Sequence, residues 1–216
     1  MIILIKLILA HFIGDFLLQP KSWVYEKEKL KIRSLKLYIH VFLHGILVLL
    51  ILWDLQFWLL ALLIAILHGI IDLMKLYCQK EENKSNWFFI DQALHFISIL
   101  VLWGLFLKPE LDFSYICTHS DLWVYLTAII LITGVSAVVV REVMSEWTKK
   151  LKDNKDVSLN NAGKYIGILE RLFVFFFVII GSWESIGFIL AAKSIFRFGD
   201  LKDSKDRKLT EYVLIG

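Results

Sequence analysis

Runs of apolar residues separated by short polar turns recur at about 2–19, 37–53, 56–78, 87–107, 121–143 and 164–182. As helices rising ~1.5 Å per residue, each is of the length that crosses ~30 Å of hydrocarbon. A shorter run at about 185–198 holds Lys193 and Arg197 and fits a tilted short span or an interfacial helix. The pattern predicts an all-α, polytopic membrane helical bundle of six to seven transmembrane helices. Residues 1–107 are expected to form a four-helix core and 108–216 the remaining helices, within a single membrane domain. The stretch SWVYEKEKLKIR after Pro20 is amphipathic and fits either a helix along the cytoplasmic interface or a solvated linker with snorkelling lysines, carrying no chemistry of its own.

Composition strengthens this picture. Hydrophobic residues make up 58% of the 216 residues and mean hydropathy is +0.66, against roughly 45–50% apolar residues in soluble proteins. A globule of this size cannot bury that excess. Cys78 and Cys117 are isolated, which excludes a disulfide framework or a CxxC site. The first run has one basic residue, no small-residue cleavage site, and His11 and Asp15 inside it, so it is expected to be a span rather than a signal peptide.

The net charge of +3 would fit a polyanion partner if the cations were clustered in a groove, but they mark topology instead. Of 24 Lys and Arg, 21 fall in residues 20–36, 73–86, 141–164 and 193–208, while the alternate connections hold only Lys108. The positive-inside rule then predicts an outside N-terminus and cytoplasmic basic loops. This points to a multi-pass protein with the lipid bilayer and not nucleic acid as partner. Self-association is left open.

Five of the six histidines sit inside predicted spans, each in a pair spaced by four: His11 with Asp15, His40 with His44, His68 with Asp72, and Asp91 with His95. Such spacing puts both side chains on one helix face. Chance placement would give roughly one pair of this kind, whereas one falls on each of four consecutive spans. Counted from the cytoplasmic ends, Asp15, His40, Asp72 and Asp91 form a shallow layer, and His11, His44, His68 and His95 a deeper one. One pair alone is what a satisfied buried histidine also produces. Eight together, in hydrocarbon where lone ionisable groups are costly, suit one or two divalent ions, Zn, Mn or Fe. Gln19 and Gln92 are expected to orient ligands or water from a second tier. Gly14, Gly45 and Gly69 would let the helices approach closely.

The second half adds Arg141, Glu170, Arg171, Lys193 and Arg197 as candidate substrate-binding residues, since arginines near a metal suit a phosphate or carboxylate. Arg141, Lys193 and Arg197 equally fit snorkelling to the interface. Glu170 and Arg171 are adjacent, face different directions and need separate partners. Three functions are in competition. One is a metal-dependent hydrolase of a lipid-linked or amphipathic phosphoester, with Asp91 as its catalytic base. Another is a divalent-metal transporter or sensor. The third is a non-catalytic subunit whose polar layer specifies packing.

The segments LAHFIGDFLLQ, HVFLHG, LHGIIDLMK, IDQALHF, IGILERL and AAKSIFRF together resemble, in order, a family of bacterial multi-pass membrane proteins catalogued as domain of unknown function 3307. The resemblance implies multi-pass placement in the bacterial cytoplasmic (inner) membrane and no assigned activity. It also implies a further apolar segment after the terminal LIG. The metal expectation rests on the residues alone.

Overall fold

The structure is a computed structural model that describes residues 1–107, 122–145 and 162–202, with backbone alone at 162 and 196–202. Cys117, His119 and the side chain of Arg197 lie outside the described residues. All regular structure among the described residues is helical.

The first helix, α1 (Ile2–Phe12), widens into a π-helical turn at Ile13–Leu17, closed by the Leu18 amide donating to the Ile13 carbonyl at 2.9 Å. Pro20, with no amide hydrogen and an extended backbone (φ −68°, ψ 152°), ends that run. The chain re-enters a helix as α2 (Lys21–Leu30), bent by 84° from the first segment. A near-perpendicular amphipathic helix at the end of an apolar one is the disposition expected of a segment lying along an interface. The Ser34 hydroxyl then donates to Glu26 at 3.0 Å, fastening α2 to the start of α3 (Leu35–Leu52). Trp53 leaves α3 with positive φ (54°), and the Asp54 side chain accepts from the Gln56 amide to start the turn into α4 (Trp58–Cys78). Helix α5 (Lys84–Leu107) completes the N-terminal bundle.

Helix α3 packs on α1 and α4, and α4 on α5. One end of this bundle is closed by buried Leu4, Leu7, Leu47, Val48, Leu52, Leu60, Ile64, Ile99, Leu102 and Trp103. Large apolar side chains such as Phe42, Leu62, Ile70, Ile97 and Leu105 face outward, as lipid-facing surfaces require. Close approach is set by small residues. A Cβ at Gly14 would collide with the His44 ring, and one at Gly69 would come 2.9 Å from a Val41 methyl.

Helix α6 (Leu122–Ile130) packs on α1, with the Lys6 ammonium 4.5 Å above the Trp123 ring. It continues through a π-helical turn (Leu131–Val135) into α7 (Ser136–Val143). Helices α8 (Ala162–Ile179) and α9 (Trp183–Lys202) form a hairpin about Gly181, whose φ of +70° suits glycine. The chain divides into two compact units, Met1–Leu131 and Ile132–Gly216.

By length and composition four described helical segments can cross a membrane: Leu35–Leu52, Leu55–Cys78, Glu81–Leu107 and Leu122–Val143. The bent pair Ile2–Leu17 with Lys21–Arg33 makes a fifth if counted as one span. This is fewer than the six to seven expected. The two runs nearest the C-terminus are helical, but Lys164, Glu170 and Arg171 interrupt α8, and α9 carries Glu184, Lys193, Arg197, Asp200 and Lys202.

Candidate metal centre

All eight candidate ligands lie in the first unit, and all eight are drawn into its interior. His11, His40, His44, His68, Asp72, Asp91 and His95 are buried, and the Asp15 side chain is 9% exposed. Helical spacing delivers the pairs to one face each, and tertiary packing brings the four faces together.

Asp15 is the hub. Its place in the π-helical turn departs from regular spacing, and its Oδ2 lies 3.9 Å from His11 Nδ1, beyond hydrogen-bond length. Its Oδ1 instead meets three imidazole Nε2 atoms, those of His44 at 3.0 Å, His40 at 3.2 Å and His68 at 3.4 Å. His40 Nε2 also lies 3.0 Å from His68 Nε2 and 2.9 Å from the Gln19 amide nitrogen. A ring nitrogen offers one proton or one lone pair. His40 Nε2 therefore cannot satisfy three partners at once.

A second grouping joins Asp72, Asp91 and His95. His95 Nε2 lies 3.4 Å from Asp91 Oδ1 and 3.8 Å from Asp72 Oδ1. Neither Asp91 Oδ1 nor His95 Nε2 has a hydrogen-bond partner among the described residues, and the same holds for His11 Nδ1 and His40 Nδ1. Unpaired buried polar atoms are expensive. A tetrahedral ion with ~2.1 Å bonds separates its ligand atoms by ~3.4 Å, close to the spacings found. Among the described residues, three groups have ligand atoms mutually within 4.8 Å: His11 with Asp15, His44 and His68; His40 with His68 and Asp72; and Asp72 with Asp91 and His95. The residues thus fit divalent-ion chemistry.

The rings of His44 and His68 stack at 3.6 Å, and those of His68 and His95 at 4.0 Å. Together with His11 they line, beside Leu7, Val48, Ile64 and Ile99, a cavity of about 10 Å³, room for a single water-sized sphere. The polar cluster therefore borders the apolar core directly.

Both glutamines contact candidate ligands. Gln92 donates to Asp15 Oδ2 at 3.0 Å, lies 3.3 Å from Asp91 Oδ2, and presents its carbonyl oxygen to His11 Nε2 at 3.2 Å. Two residues escaped the sequence reading. Lys27 is buried and donates to Asp72 Oδ2 at 2.7 Å, and Lys75 donates to Asp91 Oδ2 at 2.9 Å. Lys75 was legible, because residues 68, 72 and 75 share one face of α4. Lys27 was not, since nothing in KEKLK separates it from its neighbours.

Arg141, Glu170, Arg171 and Lys193 lie in the second unit, as does the backbone of Arg197. Lys193 donates to Glu170 at 2.7 Å across the α8–α9 hairpin, and Arg171 Nε donates to the Ile132 carbonyl. The two adjacent charges do take separate partners. Arg141 is exposed.

These features define an all-α protein with several membrane-length apolar helices and a buried His/Asp cluster. The sequence model of a family described as "Protein of unknown function (DUF3307)" matches residues 3–125, so the chain belongs to that family. The match contains every one of the eight candidate ligands. No curated protein and no solved structure matches the chain.

Proposed function

We propose that this chain is a multi-pass protein of the bacterial cytoplasmic membrane holding one or two divalent ions, Zn, Mn or Fe, in a pocket open to the cytoplasmic side. In this reading α8 and α9 add the sixth and seventh crossings, the N-terminus is outside and the basic connections are cytoplasmic. The observation that carries the proposal is the convergence of three Nε2 atoms on Asp15 Oδ1. The unpartnered Asp91 Oδ1 and His95 Nε2 beside Asp72 support it.

The chemistry that fits such a pocket is metal-dependent hydrolysis of a lipid-linked or amphipathic phosphoester. A divalent ion supplies water activation and polarisation of a phosphoryl oxygen. Asp91 is the candidate base, contacted by Gln92. A permeation path needs ligands across the whole membrane, and the apolar end sealed by Leu4, Leu52, Leu60 and Trp103 argues against one.

Elemental analysis of the detergent-purified protein tests the metal. Wild type should carry stoichiometric metal, and His68→Ala and Asp72→Ala should lose it. Full metal content in both variants would end the proposal. Turnover of a lipid phosphate monoester by metal-loaded protein, set against metal uptake into proteoliposomes, separates hydrolase from transporter.

A further inference from the structure

The inference concerns the two lysines and rests on the metal centre just described. Against the three carboxylates of Asp15, Asp72 and Asp91 stand two ammoniums, Lys27 on Asp72 and Lys75 on Asp91, so with neutral imidazoles one negative charge remains. One divalent ion would turn that balance to about +1 and two ions to about +3, a charge that a low-dielectric interior does not tolerate without a counter-ion. The same carboxylates serve both roles: Asp72 and Asp91 hold the lysines, and both belong to the ligand groupings. A cation taking their oxygens competes directly with the ammoniums.

Lys27 cannot simply withdraw. Lys27 is 6% exposed at its side chain, and its helix is held in place from both sides: Glu26 by Ser34, and Glu28 by Lys84 at 2.7 Å. Lys75 sits on α4 one turn beyond Asp72. The Lys27 ammonium, once displaced, stays beside the centre with donors to satisfy, while Lys75, 25% exposed, is the freer of the two but remains tethered within reach of it.

We infer that Lys27 and Lys75 are the anion-binding residues of this site, exchanging Asp72 and Asp91 for the oxygens of a phosphate-class ligand when metal is bound. Ammoniums are compact point charges suited to tetrahedral oxyanions. The ligand is a free phosphate or the phosphate headgroup of a lipid. Lys27 rides on the amphipathic helix, the element placed to meet headgroups.

The exchange gives the lysines effects of opposite sign on the two ligands, which a merely structural role would not. Equilibrium dialysis of the full chain in detergent, with Mn or Zn and labelled inorganic phosphate, reads both. Wild type should bind phosphate only when metal-loaded. Lys27→Met and Lys75→Met should each weaken phosphate binding by about tenfold or more, the scale of a lost charge-assisted contact, while metal binding tightens because a competitor is gone. Lys27→Arg should retain phosphate binding, guarding against misfolding as the cause. Nanodiscs of phosphatidic acid or phosphatidylcholine give the lipid arm. Retention favoured by phosphatidic acid over free phosphate assigns the headgroup, and the reverse assigns the free anion. Unchanged phosphate affinity in both Met variants, metal affinity falling in parallel with phosphate affinity, or equal phosphate binding by metal-free protein overturns the inference. Metal uptake without binding of either phosphate source defeats it alone, whereas absence of metal uptake removes the centre as well.

Discussion

Two ion pairs of equal length join helices of this chain and differ in almost everything else. Lys27–Asp72 in the first unit and Lys193–Glu170 in the second both measure 2.7 Å. The side chains of the first are 6% and 8% exposed, those of the second 31% and 26%. Asp72 also faces His40 and His95. No grouping of metal-holding geometry among the described residues includes Glu170. The contact distance is therefore no guide to function. A carboxylate becomes part of a candidate centre when packing surrounds it with further ligands, some of which it cannot satisfy.

That contrast can be broken at several points. The largest effect is expected from Asp15→Asn, which keeps the shape of the hub but removes its charge. Metal affinity should fall by at least about 100-fold, since even outer contacts of metal ligands are worth 10–100-fold, while Glu170→Gln should leave metal content intact. Equal loss in both variants would erase the distinction between the units. Next comes Gly14→Ala, which drives a methyl into the His44 ring. Overpacking of this kind costs about 1–3 kcal/mol and should lower both the unfolding temperature and the metal content. Gly187→Ala, with nothing near its Cβ, should lower neither. Gln92→Leu removes the bridge between Asp15, Asp91 and His11, and metal affinity should drop by about tenfold. The smallest effect belongs to the double variant Lys193→Met, Glu170→Gln. Glu170 belongs to no candidate ligand group among the described residues, so metal stoichiometry should not move. A measurable loss of metal there would tie the second unit to the centre.

The four pairs were legible because a helix repeats every 3.6 residues, so spacing of four declares a shared face before any fold is known. The π-helical turn was not. It carries Asp15 off regular spacing, and it shows in the sequence only as an ordinary His-x3-Asp. Lys27 went unread for a related reason, because a basic residue on an amphipathic helix is by default a solvated one. The shortfall in membrane-length helices has a simpler cause. Apolar runs identify helices well, but charges such as Glu170 and Arg171 leave open whether a helix crosses.

Local periodicity alone thus settled that the chain is helical, that it is apolar enough for a membrane, and which residues share a face on each of four helices. Only the tertiary structure decided that those faces meet, that Asp15 rather than a histidine is their centre, and that two lysines close the carboxylate edge. The reason is physical. Side-chain direction follows from covalent geometry within one helix, whereas the meeting of helices depends on close packing and on pairing buried charge. Those are properties of residues far apart in the chain.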